Sequence, residues 1–552
     1  MSVDDRPRKS EDILAMTEAP IVGSDGKSIR RKQKFGGRRS VWPGALALIL
    51  GIAGAIGALV YWGTWEHTQM LGRQPDESSL AKAYGSGHTI SDGQVVNTTT
   101  ELPLEVTNPV EYKDMKCAQI DYLSKNNRIY TVSKGKETPL VFKGVNWLGL
   151  EGWDHVITGL WDGPRDGNSF YRIASFLSSN GFNAVRFPLD IDSAARNIPI
   201  KTNFNTNSQR ALASVKTYVD LITRLTEGLG QFKIAVVLDF NTRSKATDLN
   251  STDQSVISLD QRPSSDGSTG NGWENVNVRY AEYEKAIANL ATALCNEVHW
   301  NVVGLDIKDA AAGDAGQWDG EEKTSWQMFA SKVGAAVVKA CPTWLVFAQG
   351  LTGKTKFGTG DDTKSVADWP GSSLREALTS PINVGKANKL VYAPPFWSPS
   401  MYPAPYFFKS STGGSLLTKW TGFTAQADMD TNVGDAMKAI FGDLLNKQSA
   451  AVVLSSFGGL FGTEDLDKGN VSTMAITAIV NQMTLSQKPL SGGFWWSLNP
   501  DNRWPHPAPD SPVSVASGLL DPTWRKGNLE ALRATKLMDA IPGLAFLPCD
   551  PR

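Results

Sequence analysis

The sequence has no excess of charge of either sign, and it has few of the residues that most often build metal or nucleophile sites. The 55 basic and 56 acidic side chains leave a formal net charge of -1. This balance argues against nucleic acid as the main partner, because phosphate binding requires a basic surface. The five histidines are scattered, and we find no metal-ligand spacing and no phosphate-binding glycine loop. We therefore expect no cofactor.

Long apolar runs are scarce, with one exception. Residues 41–62 carry no charge over 22 positions, and a helix of that length spans about 33 Å, which is enough to cross a bilayer. Residues 1–40 contain 10 Lys and Arg against 6 Asp and Glu, and basic flanks stay on the cytosolic side. We predict a basic cytosolic tail at 1–40, a signal anchor at 41–62, and a single-pass type II membrane protein whose remainder is extracellular or lumenal.

The exported part begins with a polar segment and continues into a folded region. Residues 63–115 are rich in Ser, Thr and Gly and poor in large aliphatic side chains, a composition typical of a flexible stalk. Residues 116–552 are predicted to fold. The chain contains 18 Trp; such a number indicates a large packed core, and indole rings also stack on sugars, so carbohydrate is a candidate ligand.

Short apolar runs alternate with amphipathic stretches in the folded region, after a predicted hairpin with its turn at 133–137. The predicted strands are 141–145, 183–187, 234–239, 302–307, 344–348, 390–393, 451–455 and 494–498. Predicted helices include 208–227, 282–297, 325–339, 432–446 and 528–539. Eight parallel strands alternating with helices form a (β/α)8 TIM barrel, whose active site lies at the carboxyl ends of the strands. Residues 242–275 form the longest predicted loop.

The four cysteines fit an exported protein, although they allow three pairings. We favour Cys117 with Cys549, because domain termini tend to meet, and Cys295 with Cys341, which end two neighbouring predicted helices; four buried free thiols are the alternative. Acceptor triplets for N-glycosylation begin at three asparagines: Asn97, Asn250 and Asn470.

Residues at the predicted strand ends resemble glycoside hydrolase family 5, the cellulase and endo-β-glucanase family, over about residues 125–535. The motifs are FKGVNWLGLEG after strand one, GFNAVRFPLD at strand two, VVLDF at strand three, LVYAPPFWSPSMY at strand six and FWWSLNPDN at strand eight. Each motif is weak alone, but together they occur in the family's order. The resemblance implies a β-glucan or another cell-wall polysaccharide as ligand.

The two glutamates that the family uses for catalysis are missing from this sequence. The family places them after strands four and seven, where the sequence reads VVGLDIKDAAAG and VVLSSFGG. Ala310 therefore stands at the acid/base position and Ser456 at the nucleophile position. Retaining hydrolysis needs a carboxylic acid and a second carboxylate about 5 to 5.5 Å away, and neither side chain supplies one. Together with the anchor predicted at 41–62, the resemblance predicts a membrane-anchored pseudo-enzyme that binds β-glucan at the cell surface.

The resemblance also implies which residues would hold a sugar. Trp496 is expected to be the floor on which a sugar ring stacks, with core packing as the alternative. Arg186 is expected to support the site from beneath or, without its glutamate partner, to form a buried salt bridge with an acid such as Asp239. Asn241 replaces a family histidine. The predicted substrate-binding residues are Arg186, Asn241, Asp309, Trp147, Trp397, Trp496 and Asn499.

Two rival functions stay open at the level of sequence. One is an active glycosidase that hydrolyses β-glucans with displaced carboxylates, Asp309 and Glu464, as an inverting pair about 6.5 to 9.5 Å apart. The other is a protein-interaction module with a vestigial cleft, whose partner the sequence does not identify.

Overall fold

The structure is a computed structural model that describes most of the chain from residue 108 onward. The described residues are 50–54, 57, 100, 102, 106, 108–152, 154–163, 165–200, 204–241, 280–309, 317–320, 325–357, 364–411, 420–447, 450–467, 469–485, 490–507 and 514–552. The chain divides into two compact units, Met1–His88 and Thr89–Arg552.

In the first unit, residues 50–54 and 57 are helical, and the rest of the predicted anchor at 41–62 lies outside the described residues. Among the residues that the structure describes, no helix combines the length and the apolar character that a membrane crossing requires.

The second unit is built around a parallel sheet that closes into a barrel. Its strands are β4 (Phe142–Asn146), β5 (Ala184–Leu189), β6 (Ala235–Phe240), β7 (Val302–Asp306), β8 (Leu345–Ala348), β11 (Leu390–Tyr392), β14 (Ala451–Val452), β15 (Leu454–Phe457) and β16 (Gly492–Trp495). The strand order is β14-β11-β8-β7-β6-β5-β4-β16-β15. Since β14 pairs with β11 and β15 pairs with β16, these two pieces are the halves of one strand that closes the sheet. The predicted eight-stranded (β/α)8 fold is confirmed.

Helices surround the strands on the outside. They are α1 (Phe170–Ser179), α2 (Ile191–Arg196), α3 (Tyr218–Gly230), α4 (Tyr280–Leu294), α5 (Trp326–Ala340), α6 (Gln426–Phe441), α7 (Val471–Thr484) and α8 (Leu529–Lys536). The predicted helix at 208–227 begins only at Tyr218, because Thr217 and Asp220 form a capping box at that point. The predicted helix at 432–446 ends at Phe441, before Gly442 with a φ of +64°.

Two apolar layers hold the barrel together. Side chains on the outer face of the strands pack against the helices, and a second group fills the lower interior of the barrel, including Val237, Val303, Phe347 and Phe494. The burial of alternate residues on both faces is the pattern expected for parallel strands with helices around them. The lower interior is therefore a packed core, and a site within the described barrel is expected at the carboxyl ends of the strands.

A three-stranded antiparallel sheet lies at the amino-terminal end of the barrel. It consists of β1 (Asp121–Lys125), β2 (Arg128–Ser133) and β3 (Lys136–Leu140), with β2 and β3 forming the predicted hairpin. The buried Tyr122 hydroxyl donates to the carbonyl of Trp300 at 3.0 Å, which ties this sheet to the start of β7. The described residues also form three two-stranded hairpins: β9 (Lys354–Phe357) with β10 (Lys364–Ala367), β12 (Phe408–Ser411) with β13 (Trp420–Gly422), and β17 (Arg503–Pro505) with β18 (Ser514–Ala516).

Both favoured disulfides are present. Cys117 bonds to Cys549 across 432 residues of sequence and joins the two ends of the barrel domain. Cys295 bonds to Cys341 just after α4 and α5. The pairing that joins the ends of the domain is thus confirmed, as is the pairing between neighbouring helices.

The last residues of the predicted stalk belong to the folded barrel. The Asn108 amide donates to Gln209 at 2.9 Å and accepts from the backbone N–H of Tyr171 at 3.2 Å. Tyr112 stacks on the Tyr171 ring with centroids 5.9 Å apart. The flexible-stalk prediction is therefore wrong for residues 108–115, because a few specific side chains anchor a segment that has little apolar bulk. Residues 63–99 and the predicted loop at 242–275 lie outside the described residues.

Candidate functional site

The candidate site is at the carboxyl end of the barrel, where Arg186 meets three aspartates. Arg186 projects from β5 with 1% of its side chain exposed, and its Nη2 lies 2.8 Å from Asp239, 2.8 Å from Asp306 and 3.4 Å from Asp309. Asp239 and Asp306 lie near the ends of the neighbouring strands β6 and β7. We call Arg186 and these three residues the aspartate cluster. The predicted contact of Arg186 with Asp239 is present, with two further carboxyl groups beside it.

Asp309 is the member of the aspartate cluster that reaches solvent. Its side chain is 13% exposed, whereas those of Asp239 and Asp306 are 0% and 1% exposed. Asn241 donates to Asp309 at 2.8 Å, and Gln349, which directly follows β8, also donates to it. With Arg186, three N–H donors converge on this carboxylate, so it is held in a fixed position.

Burial dominates the electrostatics of the cluster. It raises the pKa of Asp239 well above the ordinary value, against the opposing effect of Arg186 and with support from the charges of Asp309 and Asp306. Burial likewise raises the pKa of Asp306 to about 6, although Arg186 acts in the opposite direction. Burial opposes the charge of Arg186 itself, but the three carboxylates raise its pKa overall. Three acids thus share one guanidinium, and burial favours the protonated forms of Asp239 and Asp306.

The predicted nucleophile position is filled by a buried hydroxyl. Ser456 lies in β15 and is 3% exposed. Its Oγ accepts from Asn146 at 3.4 Å, and the same amide accepts from Arg186 Nη1 at 3.0 Å. Asn146 therefore connects the aspartate cluster to Ser456. Ala310, the predicted acid/base position, lies outside the described residues.

Aromatic side chains pack together at the same end of the barrel. Trp496 and Trp397 meet edge to face with centroids 6.0 Å apart, and they form a cluster with Leu148, Met401, Leu460, Trp504 and Val515. Trp496 is only 4% exposed and Trp397 only 6%. The expectation that Trp496 offers an open floor is therefore corrected, because its neighbours cover most of the ring.

The edge of this aromatic cluster is more open than its centre. Trp369 and Tyr402 are only partly buried, and their rings meet edge to face at 5.4 Å. Trp369 also lies edge to face with Trp397 at 5.7 Å. Trp369 was not among the predicted site residues. Its position just after β10, in the long connection between β8 and β11 at the barrel mouth, is the sequence signal that would have identified it.

Two other predicted substrate-binding residues, Trp147 and Asn499, have structural roles. Trp147 is fully buried and stacks on Phe170 of α1, with centroids 5.7 Å apart. It therefore faces the outer helical layer, not the mouth. Asn499 is 2% exposed; its Oδ1 accepts from the backbone N–H of Leu148 at 2.9 Å, and its Nδ2 donates to Thr158. It joins the loop after β16 to the loop after β4, so neither side chain is an exposed wall.

Glu464 is held by α8. It accepts from Asn528, the residue that caps α8, at 3.2 and 3.3 Å, and burial raises its pKa. Its neighbour Asp465 accepts from the backbone and hydroxyl of Thr473 in α7 at 2.7 and 2.8 Å. Glu464 and Asp465 therefore stabilise the amino-terminal ends of α8 and α7. The described contacts do not pair Glu464 with Asp309.

Sequence reasoning also missed three polar members of the site: Asp306, Gln349 and Asn146. Asp306 was treated only as part of a predicted strand, although it is the last residue of β7. Asn146 ends β4 and Gln349 directly follows β8. In a TIM barrel, positions at strand ends are the ones that line the mouth, so this placement was the available signal.

Metal binding finds no support in the part of the chain that the structure describes, since no group of three or more His, Cys, Asp or Glu side chains there is arranged to hold an ion. In the aspartate cluster, the position between the carboxylates is taken by the Arg186 guanidinium.

The sequence is similar to a known enzyme family and to two bacterial endoglucanases. The model of the family described as Cellulase (glycosyl hydrolase family 5) matches residues 134–502. The major extracellular endoglucanase of Xanthomonas campestris pv. campestris is 25% identical over 384 residues, which cover 69% of this chain and 66% of that protein. The endoglucanase of Paenibacillus polymyxa is 23% identical over 384 residues, covering 69% and 80%. The chain therefore spans just under two thirds of the Xanthomonas protein.

Solved structures agree on the fold. An endocellulase from Pyrococcus horikoshii, in complex with cellotetraose, superposes with a TM-score of 0.56 at 24% identity, covering 76% of this chain and 99% of that one. The catalytic domain of the Xanthomonas endoglucanase gives a TM-score of 0.55 at 21% identity, with coverage of 76% and 99%.

Proposed function

Since the chain belongs to glycosyl hydrolase family 5, we propose that it is a non-hydrolytic, β-glucan-binding member of that family. We further propose that residues 41–62 anchor it as a type II membrane protein, with the barrel on the extracellular or lumenal side. The endoglucanase relatives and the cellotetraose complex of the Pyrococcus enzyme support the choice of ligand class.

The observation that carries the loss of hydrolysis is the environment of Ser456. Glycoside cleavage by the retaining route needs a carboxylate that attacks the anomeric carbon. Ser456 offers a hydroxyl instead, which is 3% exposed and occupied by Asn146. Among the residues that the structure describes, no histidine hydrogen-bonds to Ser456 to activate it as a nucleophile. The positive charge of Arg186 is paired with Asp239, Asp306 and Asp309, so it is not available to stabilise a nucleophilic carboxylate.

The remaining surface suits sugar binding. Asp309 and the amides that hold it supply hydrogen-bonding groups, and the partly buried rings of Trp369 and Tyr402 supply an apolar edge. Ligand sites combine an apolar wall with a few convergent polar groups in this way. Trp397 packs edge to face against Trp369, and Trp496 packs edge to face against Trp397.

Export is supported by the two disulfides, because such bonds persist in oxidising compartments. Asn470, the first residue of one glycosylation triplet, is exposed at the start of α7, which suits a glycan. Asn97 and Asn250 lie outside the described residues, and glycosylation at all three remains a prediction.

A second candidate is an active glycosidase that uses Asp309. It is favoured by one observation: Asp309 is partly exposed and fixed by three donors, as a catalytic carboxylate would be. Its predicted partner, Glu464, is bound to Asn528, so this candidate needs another carboxylate or a movement of the loop that carries Glu464.

The test is to incubate the purified full chain with soluble and insoluble β-glucans and to measure both retained protein and new reducing ends. We expect retention without new reducing ends. Release of sugar would support the active glycosidase, and neither retention nor release would support a protein-interaction module. A complementary variant, Ala310→Glu with Ser456→Glu, should gain hydrolysis if the rest of the cleft is intact, whereas each single variant should remain inactive.

A further inference from the structure

The β17–β18 hairpin packs against the aromatic cluster at the barrel mouth. Of the seven buried residues that the described part of the chain contributes to this cluster, the hairpin supplies Trp504 and Val515, which are 2% and 8% exposed. Trp397 and Trp496 are buried in the same cluster. The cluster is separate from the two apolar layers that hold the barrel together. Displacing the hairpin would therefore leave both layers of the barrel in place.

A chain of polar contacts fastens the hairpin to two loops at the mouth. The Trp504 indole N–H donates to the Ser400 carbonyl at 2.9 Å. The backbone N–H of Ser400 donates to the Ser472 hydroxyl at 2.8 Å, and that hydroxyl donates to Asp467 Oδ2 at 2.5 Å. Asp467 Oδ1 lies 3.4 Å from Nε2 of His506, two residues beyond Trp504. We call these five residues the latch, because they join the hairpin to the loops after β11 and β15.

The covered cluster leaves two hydrogen-bond donors unsatisfied. The indole N–H groups of Trp397 and Trp496 are buried, and neither finds an acceptor within the part of the chain that the structure describes. A buried donor without a partner costs free energy, because it has given up its hydrogen bonds to water. Exposure of the cluster would let water or a sugar hydroxyl accept from both indoles. The latch and the apolar contacts of the hairpin thus hold the cluster covered against this cost.

Indole rings are surfaces on which sugars stack, and Trp397 and Trp496 would present theirs only when the hairpin moves away. Building on the proposed glycan-binding function, we propose that the β17–β18 hairpin is a latched cover whose release exposes these two rings to a bound glycan. When only a fraction of the protein is in the binding-competent state, the measured affinity is reduced by that fraction. Loosening the latch should therefore tighten glycan binding, whereas substitutions in a fixed binding wall would weaken it.

Two conservative variants loosen the latch at its two ends. Trp504→Phe keeps an aromatic ring in the cluster but cannot donate to the Ser400 carbonyl. Asp467→Asn keeps an acceptor for the Ser472 hydroxyl but removes the charge that faces His506. Neither variant changes Trp397 or Trp496, so the proposed sugar-stacking rings stay intact.

The measurements are made on the purified full chain. Titration calorimetry with cellohexaose should show that each variant binds about fivefold more tightly than the parent, which is the effect of one lost hydrogen bond on the closed state. Hydrogen exchange followed by mass spectrometry, without ligand, should show faster exchange at 503–506 and 514–516. The matched controls are Asp435→Asn, on the exposed face of α6, and Trp344→Phe, which alters a buried indole just before β8 at the other end of the barrel. Both controls should equal the parent in affinity and in exchange at these residues.

The outcomes separate the cover from the proposed function. Circular dichroism confirms that each variant is folded. Unchanged or weaker binding of cellohexaose by folded Trp504→Phe and Asp467→Asn would refute the cover and leave the proposed function standing. Absence of binding by the parent and by both variants would overturn the glycan-binding function and, with it, the glycan as the ligand that the cover excludes. Exchange at the parent's rate in both variants would refute the latch, because the hairpin would then be held by other contacts.

Discussion

The aspartate cluster predicts an unusual dependence of stability on pH, which the Asp306→Asn variant tests. In the folded protein, burial raises the pKa of Asp306 from 3.8 to about 6. The folded state therefore binds more protons than the unfolded state between about pH 4 and pH 6. The free energy of unfolding should fall as the pH rises through this window, because the carboxylate must be ionised inside the barrel.

The size of the effect follows from these values. The difference between 3.8 and about 6, at about 1.4 kcal/mol per pKa unit, amounts to about 3 kcal/mol. Asparagine keeps an oxygen that accepts from Arg186 but has no proton to lose. Relative to the parent chain, the variant should gain about 3 kcal/mol between pH 4 and pH 7. Unfolding entropies of about 2 cal/mol/K per residue imply a relative gain of about 3 °C in the thermal midpoint of the Thr89–Arg552 unit.

The assay is thermal unfolding of the full chain across this pH range, followed by circular dichroism. Asp435→Asn, on the exposed face of α6, is the control and should run parallel to the parent. If the thermal midpoint of Asp306→Asn changes with pH in the same way as that of the parent, the idea that Asp306 retains a proton in this pH range is refuted. A relative loss of stability toward pH 7 would show that its negative charge stabilises the barrel and that the carboxyl groups are not in excess.

Two further predictions concern the ends of the barrel domain. Replacing both Cys117 and Cys549 by serine opens a loop of 432 residues, which should cost about 4–6 kcal/mol in the chain-entropy account; an unfolding midpoint equal to that of the parent would contradict this role. Asn108→Ala leaves the backbone N–H of Tyr171 without its partner and removes one of the two donors to the Gln209 side-chain oxygen; it should cost about 2 kcal/mol, measured by urea denaturation. Unchanged stability would mean that residues 108–115 do not contribute to the fold.

The barrel could be predicted from sequence because its strands are short apolar runs at regular intervals. The run at 302–307 differs from the observed Val302–Asp306 by one residue, and the last strand, Gly492–Trp495, begins two residues before the predicted 494. Burial on both faces fixes such strands regardless of the loops between them. The helix at 208–227 was less well predicted, since its start depends on the cap at Thr217 and not on apolar periodicity.

The site was harder to predict, because its properties depend on which side chains cover one another. The sequence places Trp496 in the last predicted strand, but its burial comes from Trp397 and other residues that are distant in the chain. Likewise, the contact of Arg186 with Asp239 could be anticipated from neighbouring strands. The addition of Asp306 depends on which face of β7 its last residue occupies, and the addition of Asp309 depends on how the chain bends after β7.

The central claim is that this barrel holds glycans without cutting them. The most direct measurement is the number of reducing ends produced when the purified full chain is incubated with β-glucan, with the Xanthomonas endoglucanase as the positive control and retention of the protein on insoluble glucan measured in parallel. The account predicts retained protein and reducing ends at the level of the blank. Reducing ends that increase with time and disappear in Asp309→Asn would contradict it.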